Sequence, residues 1–161
     1  MYKTRRMIVV AGLALTLAFL LALGVAQPAW ADDLVVNQTD DSSDGTCDDT
    51  HCSLREAIDL ANSNAAPDTI TFDLDPGNQT ISIDGAILTI LEDDTTIDGH
   101  IDGGDNVTLS YSGVQTRTSG LRIRSSGNVI QNLTIREFTG HGIYIQSYSS
   151  GNSYTANDNL I

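Results

Sequence analysis

Positive charge is what this 161-residue chain has least of: 8 lysines and arginines stand against 21 aspartates and glutamates, for a formal net charge of −13. Lys3, Arg5 and Arg6 lie in the first 31 residues, ahead of every acidic residue. From Asp32 onward there is no lysine, and the basic side chains are Arg55, Arg117, Arg122, Arg124 and Arg136. Nucleic acid and anionic lipid surfaces need basic patches, so neither is an expected partner. Such a surface suits soluble extracellular life, divalent cations or high salt. Cysteine is equally scarce, with only Cys47 and Cys52. A Cys-Cys-His51 metal site would have three ligands at cramped spacing and no fourth. In an exported chain a Cys47–Cys52 disulfide is the expected pairing, worth about 2 kcal/mol for so small a loop. No lipidation or wall-sorting motif is present.

The amino-terminus supplies the export signal. A basic start is followed by the apolar run Ile8–Ala22 and by Ala29-Trp30-Ala31, which fits the small-x-small cleavage rule. Residues 1–31 are therefore expected to be a secretory signal peptide, leaving a secreted or cell-surface product with no membrane span. A retained anchor is the alternative, but the run is short for a bilayer. Thr4-Arg5-Arg6-Met7-Ile8 faintly resembles a twin-arginine signal, whereas the Leu-rich core suits the general secretory route.

What the chain does have is a repeat. In Gly120–Ile145, Leu121 and Ile123 alternate with Arg122 and Arg124, the period of a strand with one buried face. A turn at Ser125–Asn128 follows, then inward Ile130, a kink at Gln131-Asn132, and inward Leu133 and Ile135. After a turn at Glu137–His141, Ile143 and Ile145 repeat the Leu121/Ile123 pair 22 residues on. Gly127-Asn128 likewise recurs as Gly151-Asn152. A return this short signals stacked repeats and leaves no room for a crossover helix. The expected fold is all-β, a parallel β-helix solenoid.

Ahead of the repeats, residues 32–67 read as a separate capping segment. Leu34–Asn37 is a short strand and Asp40–Thr50 an acidic, turn-rich loop. Ser53-Leu54-Arg55-Glu56 is a capping box, and Leu54, Ala57, Ile58 and Ala61 form one apolar helical face. Such a helix would cover the open end of the apolar column.

Cys52-Ser53-Leu54-Arg55-Glu56-Ala57, preceded by Asp44-Gly45-Thr46-Cys47 and followed by Asp68-Thr69-Ile70-Thr71-Phe72, resembles the CSLREA-domain signature. That signature occurs at the amino-terminus of secreted bacterial proteins of the right-handed parallel β-helix, pectate-lyase-like class. The resemblance spans roughly Leu34–Leu74 and implies export and a β-helix; it brings no catalytic residues with it.

From Asp68 strands are expected at Ile70–Leu74, Ile81–Ile83, Leu88–Ile90, Thr95–Ile97 and Val107–Tyr111, punctuated by Gly, Asn and Asp turns. Phe72 to Ile97 reads as one coil. Ile97 to Ile135 is too long for one, so His100–Ser119 is taken as a decorated turn with its own strand. Residues 68–161 then hold about four coils. The sequence stops inside a strand at Asn159-Leu160-Ile161, so a fragment of a longer protein is expected, with a covering partner chain as the alternative.

Candidate chemistry is sparse. Asp98, His100, Asp102 and Asp105 make the densest polar cluster on the expected barrel and could bind Ca²⁺ or act in acid/base catalysis. Polysaccharide lyases of the resembled class use Ca²⁺ on the uronate and a basic residue on the α-proton. Arg122, Arg124 and Arg136 are the outward candidates for the latter. Turn formation and ordinary ion pairing explain the same residues. Asp40, Asp44 and Asp48 partly imitate a calcium loop, but His51 stands where a bidentate glutamate belongs. His100 and His141 read as solvated turn residues. Tyr111, Tyr144, Tyr148 and Tyr154 are too few exposed aromatics to define a carbohydrate site, and Tyr154 reads as core. Four Asn-x-Thr triplets, starting at Asn37, Asn78, Asn106 and Asn132, follow from the Asn- and Thr-rich composition. The expected function is a scaffold that binds glycans, surfaces or other proteins. A Ca²⁺-dependent lyase or hydrolase of acidic polysaccharide is the alternative.

Overall fold

The computed structural model describes residues 30–114, 118–147 and 156–161. All but the last two residues of the expected signal segment lie outside that set, as do Arg117, Tyr148, Tyr154 and the second Gly-Asn pair. Among the described residues there are ten strands and one helix: β1 (Asp33–Val36), α1 (Leu54–Ala61), β2 (Thr69–Phe72), β3 (Thr80–Ile83), β4 (Leu88–Ile90), β5 (Thr96–Asp98), β6 (Thr108–Tyr111), β7 (Leu121–Ile123), β8 (Val129–Gln131), β9 (Thr134–Arg136) and β10 (Ile143–Ile145).

Every strand pairing is parallel, and the strands sort into three sheets ordered β1-β2-β5-β8, β3-β6-β9 and β4-β7-β10. From β2 onward the chain visits the sheets in rotation, one strand in each, and then begins again. Leu160 returns to the first sheet through a parallel bridge to Val129. The result is an all-β, solenoid-like fold in which the connections after β2 are turns and loops, and α1 alone interrupts the step from β1 to β2 among the described residues.

Register stacks like on like. Ile70, Ile97 and Ile130 form one row, Ile81 and Leu109 a second, Leu88 and Leu121 a third, and Ile90 and Ile123 a fourth. None of these nine side chains is more than 3% exposed. Burying each stabilises by about 1.5–3 kcal/mol. The expected Leu121–Ile143 and Ile123–Ile145 pairs are present in register. In that last coil Ile143 is only half-buried and Ile145 is 44% exposed, because no described strand lies beyond them.

Two expectations need correction. The first coil returns from Ile70, not Phe72, to Ile97. The stretch His100–Ser119 is not a decoration: it carries β6, a full member of the second sheet between β3 and β9. Ile97 and Ile135 belong to different sheets, so their spacing measured no coil. The kink after β8 is real: Asn132 has φ 55°. Gly99 permits the close approach there, since a Cβ on it would strike the Asn132 carbonyl and the Leu133 side chain.

A polar row borders the first sheet, one position ahead of the paired residues: Asp68, Thr95, Asn128 and Asn159. Fully buried Asn128 accepts from Thr95 N (3.0 Å) and donates to Asn159 Oδ1 (2.8 Å) and Ser125 Oγ (3.0 Å). Buried amides survive in a core only when satisfied in this way. Asp68 has no such completeness. Its Oδ1 accepts from Asp32 N at 2.7 Å, but buried Oδ2 has no partner among the described residues. Burial raises its pKa, opposed by the Asp32 amide.

The amino-terminal end is closed by three different devices. β1 pairs with β2. Thr39 O accepts from Ser82 N on β3 at 2.9 Å. On β4, Asn62 at the end of α1 donates from Nδ2 to Thr89 O and accepts from Leu91 N on Oδ1, both at 2.8 Å, so a side-chain amide takes the place of a strand. α1 starts as its sequence dictates. Glu56 N donates to Ser53 Oγ (3.2 Å) and Ser53 N donates to Glu56 Oε2 (2.9 Å), a closed capping box. Leu54, Ala57, Ile58 and Ala61 are buried beneath it.

Candidate functional site

Two places concentrate chemistry, and they lie in different parts of the fold. The first is the loop ahead of α1. Cys47 and Cys52 are joined, with sulfurs 1.91 Å apart, so neither thiolate is free for a metal. Asp40, Asp44 and Asp48 do not converge. Each closes its own turn, accepting on Oδ1 from the backbone N–H and hydroxyl two residues on, at Ser42, Thr46 and Thr50. Those bonds hold all three carboxyls below their ordinary pKa, the side-chain hydroxyl being the largest cause in each case.

What does converge is a set the sequence reading missed: Asp44, His51 and Glu56, whose ligand atoms lie within 4.8 Å of one another. Glu56 is only 4% exposed. Burial pushes its carboxyl up, but amide donors from Ser53 and Asp44 and the charge of His51 outweigh it and leave the pKa lowered. His51 Nδ1 sits 2.9 Å from Glu56 Oε2 yet out of line for a hydrogen bond. The capping box was the available signal. An N3 glutamate turns back toward the residues before the cap, and His51 lies two positions ahead of Ser53.

The barrel candidates separate. Asp98 ends β5 in the first sheet, and its carboxylate accepts from Asn132 Nδ2 (2.8 Å), Gln131 Nε2 (2.9 Å) and the His100 amide (3.1 Å). Asn132 is the largest cause of its lowered pKa. Exposed Asp102 meets exposed His100 at 3.3 Å, and Asp105 is exposed. Arg136 is exposed on β9 in the second sheet, whereas Arg122 on β7 and Arg124 just after it stand on the third. Asp98, His100 and Asp102 line one hollow and Arg122 another, so the acid and base candidates share no site.

The second place is the outer face of that third sheet. Thr89, Arg122 and Tyr144 form one row across β4, β7 and β10. Both Nε and Nη2 of half-buried Arg122 donate to Thr89 Oγ1, at 3.1 and 2.9 Å. Arg124 similarly donates to Gln146 Oε1, at 3.2 and 3.1 Å. The Tyr144 ring is 39% exposed and stacks on His141 with centroids 5.3 Å apart. Tyr111, by contrast, packs on Phe138. Arg122, His141 and Tyr144 line a groove of about 790 Å³ together with Ile87 and small neighbours such as Ala86 and Ser119, none of them acidic. Among the described residues no carboxylate lies within ion-pair distance of Arg122. Burial and then the charge of Arg124 press its pKa downward. A guanidinium nonetheless stays charged at neutral pH, so Arg122 is a half-buried cation without a carboxylate partner among the described residues.

Among the described residues no helix is long and apolar enough to cross a membrane. No protein-family model, no curated protein and no solved structure matches the chain.

Proposed function

We propose that the chain is an exported scaffold, a right-handed parallel β-helix of the CSLREA type, that binds an acidic glycan in the groove around Arg122, His141 and Tyr144. The rotation of strands through three parallel sheets and the capping box within Cys52–Ala57 support the architectural part. The handedness follows from the chirality of parallel connections. Export is supported by the basic and apolar start, by the disulfide and by the lysine-free acidic surface.

The observation that carries the binding part is Arg122. In a chain with 21 acidic residues, a half-buried guanidinium has no carboxylate partner among the described residues and faces a groove with no acidic residue among those that line it. An arginine fork matches a carboxylate or sulfate, and an exposed tyrosine offers a stacking face for a sugar ring. The overall negative charge opposes a polyanion only at long range. At physiological ionic strength charges beyond about 8 Å are screened, so the groove decides.

The test is affinity electrophoresis of the full chain through gels containing polygalacturonate or neutral dextran. Retardation by polygalacturonate alone, abolished by Arg122→Ala and weakened by Tyr144→Ala, is the expected outcome. Equal behaviour in both gels, or retention by the Arg122→Ala variant, ends the proposal. A rise in ultraviolet absorbance from unsaturated sugar ends would replace binding with lyase activity. The separation of Asp98, Asp102 and Asp105 from Arg122 and Arg124 argues against that activity.

A further inference from the structure

We propose that Asp44, His51 and Glu56 form a binding site for a divalent transition-metal ion of the zinc class. The site is in the loop ahead of α1 and does not depend on the glycan reading.

The donor set is one imidazole nitrogen and two carboxylates, with ligand atoms within 4.8 Å of one another. Imidazole with carboxylate suits zinc and its neighbours, whereas calcium takes oxygen ligands alone. The His51–Glu56 contact is not a well-made ion pair. The Nδ1 atom is buried and 2.9 Å from Glu56 Oε2, but no hydrogen bond can be drawn along that line. Two atoms that share one ion at about 2.0–2.1 Å each stand roughly 3 Å apart and need no mutual alignment.

Two of the three ligands, Glu56 and His51, are held before any ion arrives, whereas the Asp44 carboxylate is tied through Oδ1 to Thr46. Glu56 Oε1 accepts from Asp44 N (2.6 Å) and Gly45 N (3.3 Å), and Oε2 from Ser53 N (2.9 Å). His51 Nε2 lies 3.1 Å from Ser42 Oγ, which donates to Asp40 Oδ1, so the far side of the ring is tied to a carboxylate through a hydroxyl. That outer contact is the usual way a ligating histidine is oriented. The neighbouring residue, Cys52, is fixed by its disulfide and by donating its N–H to Asn37 Oδ1 at 2.8 Å. Asp44 is exposed, which leaves room for water to complete the coordination and for the ion to enter.

Co²⁺, a spectroscopic stand-in for zinc, provides the test on chelator-treated full chain with the disulfide intact. The expected result is a saturable visible absorption without a thiolate charge-transfer band, displaced by Zn²⁺ and not by equimolar Ca²⁺. Zn²⁺ should also raise the melting temperature. His51→Gln and Asp44→Asn should each weaken Co²⁺ binding by more than about tenfold, the scale on which even outer contacts act. The remote Asp98→Asn variant should bind as the parent does. Far-ultraviolet circular dichroism checks folding, and Asp44, being exposed, serves if His51→Gln does not fold. Absence of saturable binding, undiminished binding in both ligand variants, a thiolate band, or displacement by Ca²⁺ as effective as by Zn²⁺ would each overturn the site.

Discussion

The segment before residue 68 and the stacked strands after it are held together by opposite means. The stack repeats one interaction: an aliphatic side chain lies on its equivalent in the next coil, as in Ile70, Ile97 and Ile130. The segment before it repeats almost nothing. Apart from β1, whose Leu34 lies on Ile70, and the buried face of α1, it relies on one disulfide, one capping box, the Arg55–Asp41 pair at 2.6 Å and the Asn62 amide on β4. A repeated contact tolerates small changes anywhere and suffers from a cavity everywhere. A set of single contacts fails only where it is cut. The difference also explains where chemistry can accumulate. The stack offers rows of side chains on its outer face, whereas the irregular loop can fold three unlike ligands to one point.

The largest effect is expected from breaking the stack at its centre. Ile97→Ala removes a side chain packed between two others and should cost about 2–5 kcal/mol in chemical denaturation. A loss below about 1 kcal/mol would mean that the column is not what holds the coils.

Cutting the disulfide sharpens the contrast. Cys47→Ser with Cys52→Ser should cost about 2 kcal/mol, and the loss should stay local. Hydrogen exchange should accelerate in 40–52 while β5 and β7 keep their protection. Equal acceleration in both regions would show the two to be one cooperative unit.

A smaller loss, about 1–2 kcal/mol, is expected for Asn62→Ala, which strips a donor and an acceptor from the β4 edge. Exchange of the Leu91 amide should report it directly.

The smallest effect depends on pH and differs in sign between the two regions. Glu56 has a folded pKa below its ordinary 4.5, so its stabilisation is complete above that pH and is lost as pH falls through the lower folded value. Asp68 has a folded pKa above its ordinary 3.8, so its contribution is present below that pH and is lost as pH rises through the raised value. Asp68→Asn should therefore gain stability relative to the parent as pH rises from acid to neutral. Melting curves at several pH values check this, and a gain that grows toward acid pH would contradict the burial of Asp68.

Much of this was legible along the chain because it is local or periodic. The capping box, the apolar face of α1, the Cys47–Cys52 pair and the alternation in Leu121–Ile123 each involve residues only a few positions apart. The spacing of the coils was harder to read. The turns between sheets differ in length, as between β5 and β6 and between β8 and β9, so aliphatic spacing drifts and β6 passed for an ornament. The candidate sites were least legible. Asp98 and Arg122 look like neighbours in composition but face different hollows. His51 and Glu56 are close in sequence, yet their contact depends on how the disulfide loop turns.

Composition and periodicity alone settled that this chain builds strands with one aliphatic face, starts its helix at Ser53 and carries an acidic surface, because each follows from side-chain chemistry within a few residues. Which strand lies on which, that Arg122 stands without a carboxylate partner among the described residues, and that Asp44, His51 and Glu56 meet were decided only by the tertiary structure. Those outcomes depend on distances between residues far apart along the chain or across an irregular loop, and no local preference encodes such distances.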